Sequence, residues 1–126
     1  MREQGKQSLA HSFRHAIEGV CYVISCERNV RIHLAVALSV IAMGLWLSID
    51  AVQWALIGVA IALVFAGEML NTVVELIIDQ LMPTHNINAK NIKDVAAGAI
   101  LVNAMVAAFI GLLVLGPTLL SKLGLR

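Results

Sequence analysis

Four residues near the end of a long apolar run have the types and spacing to do chemistry: Glu68, Asn71, Glu75 and Asp79. They are separated by three, four and four positions. On a helix turning 100° per residue they fall within an arc of roughly 80°, stacked over about three turns. The rest of that run is built from residues such as Leu56, Ile57, Ile61, Val64, Phe65, Ile77 and Ile78. A carboxylate deep in a bilayer costs about 2.5–3.5 kcal/mol even on the lenient insertion scale. A stripe of three acids and an amide in such a setting therefore reads as a functional site.

The elements that must hold this stripe follow from composition. Of the 126 residues, 60% are hydrophobic and only 13% are charged, with a mean hydropathy of +0.86. A soluble domain of this size cannot hide that much apolar surface. The expected class is all-α and integral to a membrane, a single domain over residues 1–126. An N-terminal amphipathic helix is expected over 8–28, with transmembrane helices over 32–49, 52–79 and 94–116. In the first of these helices Leu9, Phe13, Ile17, Val20 and Ile24 recur at steps of three or four, which suits a helix lying on the membrane surface. Its two cysteines, Cys21 and Cys26, read as reduced packing residues, because their helical spacing closes no disulfide. No small-residue cleavage site follows the first apolar run, so it does not read as a removable signal peptide.

Two turns divide the spans. Asp50 marks a very short one, flanked by Trp46 and Trp54 as an interfacial aromatic pair. The polar stretch from Gln80 to Lys93, with Pro83, reads as the only substantial loop, and the last span should end before Pro117. Arg2, Lys6, Arg14, Arg28, Arg31, Lys90 and Lys93 all fall on one side of this topology. The positive-inside rule therefore puts the N-terminus and the long loop in the cytoplasm. Glu27, the Glu68–Asp79 stripe and Lys93-Asp94 then meet at the cytoplasmic boundary. His33 reads as interfacial and without catalytic work, and Asn103 as a packing or subunit-contact hydrogen bond.

Hard oxygen ligands, with no Cys or His at metal spacing, favour Mg²⁺ over zinc or copper. Mg²⁺ takes one or two carboxylates and completes its shell with water and phosphate oxygens. The chain lacks the GxxxxGK[ST] phosphate loop and the protein-kinase signatures. The net charge of +1 gives no footprint for nucleic acid. Residue types alone leave three classes: a membrane lipid kinase, a proton- or ion-coupled transporter subunit, and a passive assembly subunit. Transporters place their acids near the midplane. Here Glu68 is deepest and the others climb towards the loop, which suits a site open to both water and lipid.

Two segments give the chain a family likeness. Glu68-Met69-Leu70-Asn71-Thr72-Val73-Val74-Glu75-Leu76-Ile77-Ile78-Asp79 resembles the E-x-x-N-x-x-x-E-x-x-x-D helix of the prokaryotic diacylglycerol kinase family. Ala89-Lys90-Asn91-Ile92-Lys93-Asp94-Val95-Ala96-Ala97 resembles that family's A-K-D-x-x-x-A-A segment. Ile92 departs from the alanine of the diacylglycerol branch. Glu27-Arg28-Asn29, followed by Arg31 and His33, looks more like the undecaprenol-kinase branch typical of Gram-positive bacteria. The likeness runs from about Ser12 to Pro117.

The resemblance implies a homotrimer of three-span subunits in the bacterial cell membrane, with active sites shared between neighbours. It implies transfer of the ATP γ-phosphoryl group to the hydroxyl of undecaprenol, giving undecaprenyl phosphate, with diacylglycerol as the alternative acceptor. By the same resemblance Glu68 is the general base, Asn71 orients the reacting groups, and Glu27 and Glu75 hold Mg²⁺. Asp79, Lys93 and Asp94 match nucleotide-contacting positions, and His85 and Asn86 occupy the loop that touches the nucleotide.

Overall fold

The computed structural model describes residues 9–84 and 86–125. Among them the regular structure is all helical: α1 (Leu9–Cys26), α2 (Arg28–Leu47), α3 (Ala51–Leu81) and α4 (Ile87–Lys122). The last three are each long and apolar enough to cross a membrane. At 1.5 Å per residue, α3 is about 46 Å long, well beyond the ~30 Å of a hydrocarbon core. Its ends therefore reach beyond such a core, with Glu75 and Asp79 in its last two turns and Glu68 near its middle.

The short turn is built as its sequence dictates. Ser48 takes a left-handed conformation, φ 54° and ψ 48°, and closes α2 with bonds back to Gly44 and Leu45. Asp50 then caps α3: its Oδ1 accepts from the Gln53 amide at 2.9 Å, while Gln53 Oε1 accepts from the Asp50 amide at 2.9 Å. This reciprocal pair satisfies two otherwise unpaired amides. A Cβ on Gly44 would come within 2.8 Å of the Trp54 ring, so the glycine admits that ring against α2. Leu47, Ile49, Ile57, Val114 and Leu115 form the buried core at this end of the bundle.

Two sequence expectations are corrected. The stretch 80–93 is mostly helical: α3 runs to Leu81 and α4 begins at Ile87, leaving only residues 82–86 between them. Asn86 caps α4, its Oδ1 accepting from the Asn88 amide at 2.8 Å, and a Lys90–Asp94 ion pair one turn apart reinforces the polar first turns. At the other end, α4 does not stop before Pro117 but carries it internally to Lys122. Neighbouring polar groups support that turn, as they do for prolines in membrane helices. Thr118 Oγ1 donates to the Val114 carbonyl at 3.2 Å, and Gln53 Nε2 reaches both Val114 O and Thr118 Oγ1 from α3.

Helix α1 leaves Leu9, Phe13, Ile17 and Val20 exposed along one stripe. Its polar residues pair locally, Arg14 Nε donating to Glu18 at 2.8 Å with His15 beside it at 3.1 Å. The Arg14 guanidinium, aided by His15, holds the Glu18 carboxyl below its ordinary value. Cys21 and Cys26 are free, exposed thiols, Cys26 with Ser25 Oγ 3.9 Å from its sulfur. Both lie on α1, where only Val23 is buried.

Candidate active site

Helix α3 carries the acidic stripe, and hydrogen bonds on α3 itself order it. Thr72 Oγ1 donates to the Glu68 carbonyl at 3.0 Å, and both residues are buried. Asn71 Nδ2 donates to Glu75 Oε1 at 3.1 Å, one turn on. Asn103 Nδ2 on α4 donates to the Leu63 carbonyl at 3.0 Å, and it lies so close to Gly67 that a Cβ there would sit 2.6 Å from it. Asn103 is thus the polar link that sets α4 beside the turn of α3 preceding Glu68.

Glu27 reaches the same place from another direction. It is the residue between α1 and α2, extended at φ −97° and ψ 117°. Arg31 Nη1 donates to the Ser25 carbonyl at 3.0 Å and ties the start of α2 to the end of α1. Glu27 and Glu75 both lie within electrostatic range of Glu68. Glu27 is therefore brought from a separate point in the chain to the α3 stripe of Glu68, Asn71 and Glu75.

A histidine joins them that sequence reasoning had set aside. His33 Nε2 lies 3.2 Å from Glu68 Oε1. That is an ion-pair distance, but the contact lacks hydrogen-bond direction. Among the described residues, Glu68 Oε1 and Asn71 Oδ1 are the buried side-chain oxygens that receive no hydrogen bond. An unpaired buried acceptor costs about 1–3 kcal/mol, so both oxygens are suited to a donor or cation that arrives with the substrate. His33 also lines an apolar cavity of about 680 Å³ between α2, α3 and α4, running from His33 and Phe65 towards Leu115 and Leu119. The usable signal for His33 was its type: an ionisable side chain just inside an apolar span is a functional candidate by default.

The remaining expected residues gather one step further along. Asp79, Asn86, Lys90, Lys93 and Asp94 line a second cavity of about 420 Å³ beside the 82–86 turn. Lys93 Nζ on α4 bonds Asp79 on α3, joining the two helices at the cavity. Asn86 has its Oδ1 engaged as the α4 cap. His85 lies outside the described residues. Asp79 is four residues from Glu75, about 6 Å along the helix axis, so the two clusters are contiguous.

The donor set also meets the demands of Mg²⁺. Among the described residues no three His, Cys, Asp or Glu are gathered closely enough to hold a metal ion, but Mg²⁺ needs only one or two protein carboxylates. Glu75, which accepts from Asn71, and Glu27 supply hard oxygens within electrostatic range of Glu68.

The comparisons decide among the classes left open. The family model for prokaryotic diacylglycerol kinase matches residues 14–115. The chain belongs to the prokaryotic diacylglycerol kinase family. It is 37% identical over 108 residues to a Bacillus subtilis protein named undecaprenol kinase, covering 86% of this chain and 88% of that one. It is also 37% identical over 115 residues to a Synechocystis diacylglycerol kinase, covering 90% of this chain and 66% of that longer protein. The chain is thus a membrane enzyme, a lipid kinase using a nucleotide as phosphoryl donor, and the transporter alternative falls away.

Proposed function

We propose that this chain is an undecaprenol kinase, moving the γ-phosphoryl group of ATP to the undecaprenol hydroxyl and releasing undecaprenyl phosphate and ADP. One observation carries the reading. His33, at one end of an apolar cavity, lies 3.2 Å from a buried Glu68 oxygen that receives no hydrogen bond, and a charged cavity lies further along α3. A lipid alcohol with its tail along α2–α4 brings its hydroxyl to Glu68, and a nucleotide at Asp79, Asn86, Lys93 and Asp94 approaches from the water side. The relative named undecaprenol kinase, matched over most of both chains, supports this acceptor over diacylglycerol.

Glu68 takes the proton from the lipid hydroxyl as that oxygen attacks the γ-phosphorus. Asn71, held by Glu75, orients the attacking and transferred groups through its free Oδ1 and amide. Lys93 neutralises phosphate charge as a point cation, held in place by Asp79, and Asp94, paired with Lys90, lies beside it at the nucleotide. Glu27 and Glu75 would hold Mg²⁺, which when bound spreads the charge of the phosphate oxygens. His85 belongs to the loop assigned to the nucleotide.

The enzyme works as a homotrimer in the bacterial cell membrane, with the N-terminus and the site on the cytoplasmic side. The spans 32–49, 52–79 and 94–116 lie across the bilayer and the stripe of α1 lies on its surface. The exposed faces of α1 and α4 support these placements, since Leu9, Phe13, Leu101, Met105, Phe109 and Leu112 have no cover within the chain.

The test is phosphate transfer from γ-labelled ATP by purified protein in mixed micelles, with undecaprenol and diacylglycerol in parallel at matched mole fraction. Preferential labelling of undecaprenol is expected. Preference for diacylglycerol would move the enzyme to phosphatidate production, and labelling of neither would overturn the proposal.

A further inference from the structure

A base buried this deeply raises a question that the forward reaction leaves open: where its proton goes. Each turnover puts the lipid hydroxyl proton on Glu68, whose side chain is 3% exposed. That carboxyl must lose the proton before it can act again. His33 is the residue in contact with it, at 3.2 Å, and its side chain is 27% exposed. The other acids in range, Glu27 and Glu75, are assigned to the cation in the reading above. Arg31, on the same helix as His33, is engaged with the Ser25 carbonyl. The α4 residues that line the cavity, such as Ala104, Ala108 and Gly111, are apolar.

We infer that His33 is the proton exit for Glu68, taking the lipid hydroxyl proton from the buried carboxyl and handing it to water. This rests on the kinase reading above. The lipid oxygen forms its bond to the γ-phosphorus, and the bond from that phosphorus to the bridging oxygen breaks with its electron pair leaving on ADP. The lipid hydroxyl proton passes to Glu68 Oε1 and then, as the imidazole turns into line with that oxygen, to Nε2 of a neutral His33 carrying its hydrogen on Nδ1. The Nδ1 proton leaves to water, so one proton is released per phosphoryl group moved. Histidine suits the role because its two ring nitrogens can accept on one side and donate on the other.

The experiment compares wild type, His33→Ala and His33→Gln in mixed micelles with saturating lipid, with and without added imidazole. Helical content is checked first by circular dichroism, and His33→Gln carries the same test if His33→Ala does not fold. The expected result is a fall in kcat of roughly a hundredfold in both variants, at the lower end of general acid–base effects, with KM for ATP unchanged. Imidazole should restore kcat in a saturable manner and leave wild type unaffected. Recovery in His33→Gln without imidazole would mean that His33 only positions Glu68, and would overturn the proton-exit role. Wild-type kcat in both variants would overturn it as well. Transfer by wild type to no lipid would instead remove the kinase reading and this inference with it.

Discussion

Glu68 Oε1 and Asn71 Oδ1 are acceptors without donors in a part of the chain where every polar group is expensive. The neighbouring bonds are complete: Thr72 is satisfied by the Glu68 carbonyl and Asn71 Nδ2 by Glu75. The asymmetry assigns the unpaired oxygens to substrate. Replacing Glu68 with Gln keeps size and polarity but removes the base. We expect Glu68→Gln to lower kcat by roughly 10²- to 10⁴-fold with little change in KM for ATP, measured by label transfer to lipid. Glu75→Gln should act differently. It weakens a hard oxygen donor, so the Mg²⁺ concentration giving half-maximal rate should rise, and an unchanged Mg²⁺ titration would remove Glu75 from the cation site. The spacing of Glu68, Asn71, Glu75 and Asp79 was legible because helical geometry alone puts them on one stripe. The His33–Glu68 contact was not, because it depends on the register of α2 against α3, which no local pattern encodes.

At the scale of elements, α3 and α4 are fixed to one another by few polar links, and each makes a separable prediction. Gly67→Ala pushes Asn103 away and breaks its bond to the Leu63 carbonyl. Interhelical hydrogen bonds in membranes contribute about 0.6 kcal/mol on average and about 1.7 at most. The variant should lose stability by about that amount in a denaturant titration in micelles, and it should lose activity too, because Glu68 is the next residue. Asp50→Ala removes the α3 cap and should cost about 1 kcal/mol. Glu68 is 18 residues from Asp50, about 27 Å along the helix, so kcat should stay near wild type; a large fall in kcat would show that the two ends are coupled. The spans were legible from apolar run lengths, and the Asp50 turn from its capping residue. The helical start of α4 was misread as loop because polar residues on a helix that leaves the bilayer look like loop residues in composition. Pro117 was misread as a stop because Gln53 and Thr118, which support that turn, are brought to it by the fold.

At the scale of the whole molecule, the packed core lies at the short-turn end and the acidic stripe towards the other; the apolar cavity runs between them, from His33 to Leu115 and Leu119, and the charged one lies at the 82–86 turn. The apolar cavity lies along the spans and the charged one at the turn, which on the proposed function gives lipid and nucleotide separate approaches. The exposed Cys21 and Cys26 on α1 report which side of the membrane that end occupies. A membrane-impermeant maleimide should label them in inverted vesicles and not in intact cells; the reverse pattern would invert the proposed topology. The family was legible because the α3 stripe and the Lys93-Asp94 segment are both specific. The acceptor lipid was not, because apolar side chains carry little shape information about a polyprenyl tail. The most direct test of the account is label transfer from γ-labelled ATP to undecaprenol by wild type and Glu68→Gln, side by side with and without Mg²⁺. Mg²⁺-dependent formation of labelled undecaprenyl phosphate by wild type, lost in Glu68→Gln, is expected. Undiminished transfer by Glu68→Gln would contradict the central claim that this buried carboxylate is the base.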